Sequence, residues 1–85
     1  MTRQTPPVLI PAQCRAGRAL VGLQQGELAV LAKVSRKTLT DFEKGIRQPY
    51  ERTIRDIREA LEHEGVVFLD ADDFGGVGVR LARFS

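Results

Sequence analysis

The sequence predicts a mainly α fold of four short helices, followed by a short C-terminal β-hairpin or pair of strands. Between residues 11 and 64 the apolar residues recur every three or four positions, which is the period of an amphipathic helix, and glycines interrupt the pattern. From residue 65 onward the period becomes two, which is typical of a strand with one buried face. A chain of 85 residues is expected to form a single small domain.

The composition argues against a membrane protein, a secreted protein, a zinc finger and an enzyme. No apolar run approaches the ~18 residues that a membrane helix requires, and the first residues lack the pattern of a secretion signal. The one cysteine, Cys14, excludes an internal disulfide and a cysteine-based zinc finger, and we expect it to be a buried structural thiol. With one histidine and no credible catalytic set, we expect no enzyme, cofactor or metal site.

Local signals set the expected helix ends. Residues 1–10, which contain two consecutive prolines, are expected to form an extended N-terminal arm. Pro11 suits the first turn of a helix, Ser35 is a good N-cap, and Gly22 and Gly45 suit helix ends. The helices are therefore expected at residues 11–21, 24–32, 35–44 and 51–64. Their expected buried residues are Cys14, Gly17, Leu20 and Val21; Leu28, Ala29, Leu31 and Ala32; Leu39 and Phe42; and Ile54, Ile57 and Leu61.

The last 21 residues form the expected β extension, 65–85. An apolar run at 66–69 and an alternating segment at 77–81 flank a solvated turn at 70–76, which contains acidic residues and glycines. Because an isolated two-stranded hairpin is marginal in water, these strands must pack on the helices or pair with another chain. The sequence leaves both arrangements open.

The formal net charge of +2 conceals an uneven distribution. Residues 15–58 carry ten basic and five acidic side chains, whereas residues 59–85 carry six acidic side chains against Arg80 and Arg83. A basic body with an acidic tail indicates an anionic partner for the body, although a mixed solvated surface would look similar.

The second and third helices are joined by about three residues, which is the arrangement of a helix-turn-helix. Ala29 is small where the two helices approach, and Leu39 and Phe42 are expected to pack the later helix against the earlier one. The later helix then presents Ser35, Arg36, Lys37, Thr38, Thr40 and Asp41 away from that core. The basic and hydroxyl side chains of this set can donate hydrogen bonds to base edges in the DNA major groove. The spacing alone leaves open an ordinary antiparallel helix pair.

Residues 22–45, GLQQGELAVLAKVSRKTLTDFEKG, resemble the helix-turn-helix of the phage Cro and repressor type, also called the XRE family. The resemblance lies in the patterns Gln-x-Glu-Leu-Ala, Val-Ser-x-x-Thr-Leu and Phe-Glu-x-Gly, and extends over about residues 12–64. It implies a four-helix repressor-type domain over residues 11–64 that binds double-stranded DNA. The implied DNA-facing residues are Gln24, Gln25, Ser35, Arg36, Lys37, Thr38, Thr40, Asp41, Lys44 and Arg47. The resemblance also implies a structural ion pair between Arg18 and Glu43.

Three residues depart from the family pattern. Gln24 stands where a serine or threonine cap is usual, and Gly26 replaces a better helix former. Lys33 stands where the family often has glycine, so we expect it to adopt a positive φ or the turn to differ. These departures predict a less stable first motif helix.

The function implied by the resemblance is a sequence-specific transcriptional regulator that binds an inverted repeat as a homodimer, with residues 35–44 in the major groove. We expect the C-terminal strands to provide the dimer contact, through Val66, Val67, Phe68, Leu69, Val77, Val79 and Leu81. The alternative is a protein–protein adaptor of antitoxin or anti-regulator type, and a regulatory protein is a further candidate partner. The expected location is the cytoplasm, on the nucleoid, in a bacterial or phage-type setting.

Overall fold

The computed structural model describes residues 8–83. Four helices precede a two-stranded antiparallel sheet, so the predicted fold class is confirmed. Residues 1–7 of the expected arm, and residues 84 and 85, lie outside the described residues. The elements are α1 (Pro11–Val21), α2 (Gln25–Ala32), α3 (Arg36–Glu43), α4 (Glu51–His63), β1 (Val66–Leu69) and β2 (Gly78–Leu81).

The helix ends follow from local chemistry. Pro11 begins α1, where its fixed φ is compatible with the helix and its missing N–H would have had no intrahelical partner. The Ser35 hydroxyl caps α3 by accepting a hydrogen bond from the Thr38 amide at 3.0 Å. Gly22 and Gly45 follow α1 and α3 with φ of 71° and 73°, a region that glycine enters without steric cost. Each observed helix end lies within one residue of its expected position.

The core lies between the four helices and the inner face of the hairpin. The expected stripes of α3 and α4 are buried, and Leu28, Ala29 and Ala32 of α2 join them. The fully buried apolar side chains, less than 2% exposed, are Phe42, Leu9, Leu28, Leu39, Ile57, Leu61 and Cys14.

The two strands pair within the chain, and their inner face belongs to the helical core. The register places Val66 opposite Leu81 and Phe68 opposite Val79. Val66 and Phe68 are 2% and 7% exposed, so their side chains are buried in this chain rather than free to meet a second copy. Helix α1 packs closely on the hairpin at Gly17, where an added Cβ would lie at ordinary contact distance, 3.5 Å from Val66 and 3.6 Å from Phe68.

Several apolar residues differ from their expected positions. Leu20 is 41% exposed rather than buried, and Leu31 is 48% exposed. Leu9, expected within an extended arm, is 1% exposed and packs in the core. Val77 precedes β2 rather than lying within it, and is 42% exposed. The helical period identifies a face only approximately, and the neighbouring elements decide which residues of that face they cover.

Arg58 connects three segments that are distant in sequence. One of its guanidinium nitrogens donates to the Val8 carbonyl at 2.7 Å, and its Nε donates to Glu62 at 3.2 Å. The guanidinium also lies 5.2 Å from the centroid of the Phe68 ring, within cation–π range. The segment before α1, helix α4 and strand β1 therefore meet at one side chain.

The turn between the strands has a defined tip. The Asp72 carboxylate accepts hydrogen bonds from the amides of Phe74 and Gly75 at 2.8 and 3.0 Å, and Asp72 forms a short bridge with Gly75. This arrangement holds Phe74 outward, with 98% of its surface exposed. Within residues 8–83, no helix is long and apolar enough to cross a membrane.

Candidate nucleic-acid interface

The turn between α2 and α3 is tight because Lys33 takes a left-handed conformation. Its φ of 58° is the one positive φ of a non-glycine residue within residues 8–83, which is the first of the two arrangements expected from the missing glycine. The Val34 amide donates to the Ala29 carbonyl at 3.0 Å, which closes the end of α2. Three residues thus separate the two helices and bring α3 across α2.

Helix α3 has one buried face and one polar face. Leu39 and Phe42 are buried, whereas Ser35, Arg36 and Lys37 at the N-terminal end are exposed. Thr38, Thr40 and Asp41 are half-buried, and Lys44, Arg47 and Gln24 are exposed around this face.

Lys37 and Asp41 lie one helical turn apart and form an ion pair at 3.1 Å. The Lys37 side chain is 81% exposed, so this pair stabilises the helix only weakly and leaves the ammonium accessible to a ligand.

Glu43 anchors the C-terminal end of α3 in the core. It is 2% exposed, and the Arg18 guanidinium donates to both of its carboxylate oxygens at 2.7 Å. The Cys14 thiol and the Gln25 amide donate to the same carboxylate at 3.0 and 2.8 Å, and Arg15 donates to the Glu43 backbone carbonyl. Four side chains from α1 and α2 thus fix the end of α3.

These contacts decide the ionisation of the cluster. Burial alone would raise the pKa of Glu43, but hydrogen bonds from Arg18, Cys14 and Gln25, and the Arg18 charge, lower this pKa below its ordinary value. The pKa of the Cys14 thiol is raised by burial and by the neighbouring Glu43 carboxylate. Cys14 is therefore a hydrogen-bond donor and not a thiolate.

The side chain of Gln25 is oriented within the chain. Its amide nitrogen donates to Glu43, and its amide oxygen accepts a hydrogen bond from the Thr40 hydroxyl at 3.0 Å. One amide hydrogen of Gln25 remains for a partner outside the chain, because a primary amide has two. These two hydrogen bonds of Gln25 join the first turn of α2 to α3 and fix the position of one helix relative to the other.

Sequence reasoning missed two features of this site. Cys14 and Arg15 belong to the cluster around Glu43, and no local signal identifies them because their partner is almost thirty positions away. Tyr50 is 87% exposed and lines a groove of about 340 Å³ with Thr38 and Arg47. An aromatic residue in a polar loop next to a proline was a usable signal.

Comparison with known families identifies the fold. The helix-turn-helix family model matches residues 15–63, which is more than half of the chain. No curated protein matches the sequence. The family is a DNA-binding domain and not an enzyme class. The chain therefore belongs to the XRE-type helix-turn-helix family of DNA-binding domains.

Proposed function

We propose that this protein is a sequence-specific transcriptional regulator that inserts the N-terminal half of α3 into the DNA major groove. The observation that carries the proposal is the exposed end of α3, where Ser35, Arg36 and Lys37 are free of the core while Glu43 anchors the opposite end. In this arrangement a rigid helix presents donors that match the acceptors of guanine and the phosphates.

Further residues extend this surface on both sides. Lys44 and Arg47 follow α3 and suit contacts with phosphate, as does the remaining amide hydrogen of Gln25. Gln24 is exposed at the start of α2 and suits a contact with the DNA backbone. Thr38, Thr40 and Asp41 are half-buried on the same helix and suit further contacts in the groove.

The small size of the reading surface supports the further proposal of a homodimer on an inverted repeat. One recognition helix reads only a few base pairs, and dimers of this class span half-sites about 34 Å apart. The C-terminal strands are the proposed dimer contact. In support, Val67, Val79 and Leu81 are half-buried and Leu69 and Val77 are exposed, which leaves apolar surface outside the core.

The test is selection of bound sites from a pool of random duplexes. We expect enrichment of an inverted repeat, and binding that weakens steeply with salt because Arg and Lys contacts displace counterions. Failure to enrich any sequence would contradict the proposal. It would favour the second function considered for this scaffold, a protein–protein adaptor of antitoxin or anti-regulator type. On the first proposal, the protein acts on the nucleoid in the cytoplasm of a bacterium or as a phage product.

Single substitutions then separate base reading from phosphate binding. Arg36→Ala or Lys37→Ala should reduce the preference for the selected site by about 1–3 kcal/mol per base contact. The matched control is Arg55→Ala on α4, which removes an equal charge from an exposed pair with Glu51. An equal loss of affinity for every duplex would show that Arg36 and Lys37 contact only phosphates.

A further inference from the structure

Strand β2 has a free edge. The Ala82 amide donates to the Gly65 carbonyl at 2.8 Å, so these two residues form a hydrogen-bonded pair. Because such pairs alternate with non-hydrogen-bonded pairs along an antiparallel ladder, Arg80 and Val67 form the next one. The N–H and C=O groups of Val79 and Leu81 therefore point away from β1. Within residues 8–83 no other segment provides them with a hydrogen-bond partner. Such an edge can accept another strand.

A groove lies beside this edge. It has a volume of about 690 Å³ and is lined by Leu20, Val67, Val79, Leu81 and Ala82, with Arg80 and Arg83 adding positive charge. Leu20 of α1, which is 41% exposed, forms part of the wall of this groove. The groove thus suits an apolar group flanked by negative charge.

The hairpin tip has the complementary chemistry. Phe74 is 98% exposed and held outward by Asp72, and the neighbouring Asp73 is exposed and acidic. Gly75 at the tip and Arg83 at the groove are eight positions apart, which is roughly 27 Å of extended strand. Because tip and groove lie at opposite ends of the hairpin, one chain cannot join them.

We propose that two copies of the chain pair through the edges of β2, antiparallel and with Val79 opposite the Val79 of the second copy. The inference rests on the proposed homodimer and specifies its contact. It places Leu81 opposite Val77, and Arg83 opposite Gly75, so that the aromatic tip of each copy enters the groove of the other. The two hairpins then form one four-stranded sheet around a two-fold axis, which is a closed and self-complementary interface.

Charge disfavours one of the two neighbouring registers. In the register shifted toward the C-terminus, Val79 of one copy lies opposite Leu81 of the other, and their outward groups still form hydrogen bonds. This register sets Arg80 opposite Arg80, and like charges directly opposite each other are destabilising. In the proposed register Arg80 faces Gly78 instead. The acidic tip also approaches Arg83, so the surplus negative charge of the tail meets positive charge of the second copy.

The first experiment measures the dimer dissociation constant by sedimentation equilibrium. Phe74→Ala should weaken the dimer about tenfold or more, because a large buried apolar surface is lost, while the melting temperature of the monomer stays unchanged. Tyr50→Ala is the matched control, since Tyr50 is 87% exposed but lies in the loop before α4, and it should leave the constant unchanged.

A charge reversal tests the pairing of tip and groove. Arg83→Glu and Asp73→Lys should each weaken the dimer, and the double variant should recover most of the loss, because the opposite charges again meet across the interface. Additive losses in the double variant would overturn the proposed contact.

Single cysteines then report the register. The wild-type Cys14 is buried and does not compete for oxidation. Val79→Cys should form a disulfide-linked dimer under mild oxidation, because directly opposite, hydrogen-bonded Cα atoms lie about 5.5 Å apart. Gly78→Cys and Arg80→Cys would each lie directly opposite the same position of the second copy only in a shifted register. In the proposed register the two equivalent cysteines are diagonal neighbours, about 7–8 Å apart. Faster linkage at position 78 or 80 overturns the register.

The outcomes separate this inference from the proposed function. A dimer whose dissociation constant is insensitive to Phe74→Ala overturns this pairing and leaves the homodimer standing. A chain that stays monomeric at every concentration, with and without the selected duplex, overturns both the pairing and the homodimer, whereas DNA binding is decided independently by site selection.

Discussion

Replacing Arg18 with alanine should destabilise the protein strongly by leaving Glu43 buried without its charged partner. The carboxylate is 2% exposed and receives two of its four side-chain hydrogen bonds from Arg18, each at 2.7 Å. Removing one partner of such a buried pair costs about 3–5 kcal/mol. At about 4–8 °C per kcal/mol for a domain of this size, the melting temperature should fall by at least about 12 °C.

The pH dependence of this loss tests its cause. In the wild type, the lowered pKa of Glu43 means that its stabilising contribution is present above the ordinary pKa of glutamate and is lost as pH falls through the folded-state value. In Arg18→Ala the burial effect dominates and should raise this pKa. The buried carboxyl is then better tolerated when protonated, so the difference in unfolding free energy between variant and wild type should shrink as pH falls from 7 to about 4.

Chemical denaturation at a series of pH values measures both quantities. Arg55→Ala is the control, because Arg55 and Glu51 are 60% and 65% exposed and such a surface pair contributes at most about 1 kcal/mol. A loss at pH 7 no larger than that of Arg55→Ala, or one that does not change with pH, would refute the assignment of Arg18 as the charge that permits Glu43 to be buried.

Three further predictions concern the backbone and the thiol. Gly17→Ala should raise the melting temperature by about 4–8 °C, since alanine is about 1 kcal/mol better in a helix and its Cβ meets Leu61 at an ordinary 3.5 Å; a lower value would show that the contact is too tight. Lys33→Gly should stabilise the protein by about 1 kcal/mol, because glycine removes the steric strain of a side chain at φ 58°. Lys44→Gly is the control and should destabilise the protein, because Lys44 has an ordinary helical conformation; denaturant midpoints measure both effects. Cys14 should react with a thiol reagent only as fast as the protein opens, so that added urea accelerates labelling; rapid labelling of the native protein would contradict the burial of the thiol.

Local signals made much of this fold predictable. The ends of α1 and α3 depend on a proline, a serine hydroxyl and two glycines whose preferences act within one turn of helix. The positive φ of Lys33 is one of the two outcomes that its place in the motif predicts, the other being a different turn. Such features require no knowledge of the rest of the chain.

Contacts between distant positions could not be read in this way. Leu9 is buried because the segment before α1 packs into the core, although no periodicity marks it. Leu20 fits the helical period of α1 and is nevertheless exposed, because no described element covers that part of the helix. The hydrogen bonds that orient Gln25 join side chains 15 and 18 positions apart and exist only once α2 and α3 have packed.

The way Arg58, Val66 and Phe68 join the hairpin to the helices limits how this protein can be divided. The family match ends at residue 63, which suggests that the four helices could be separated there from the hairpin and transferred to another protein. Such a cut removes two core side chains, worth about 1.5–3 kcal/mol each, and the ring that the Arg58 guanidinium covers. Fusions and grafts should therefore keep the hairpin together with the four helices, and dimerisation is better tested by point substitutions than by truncation.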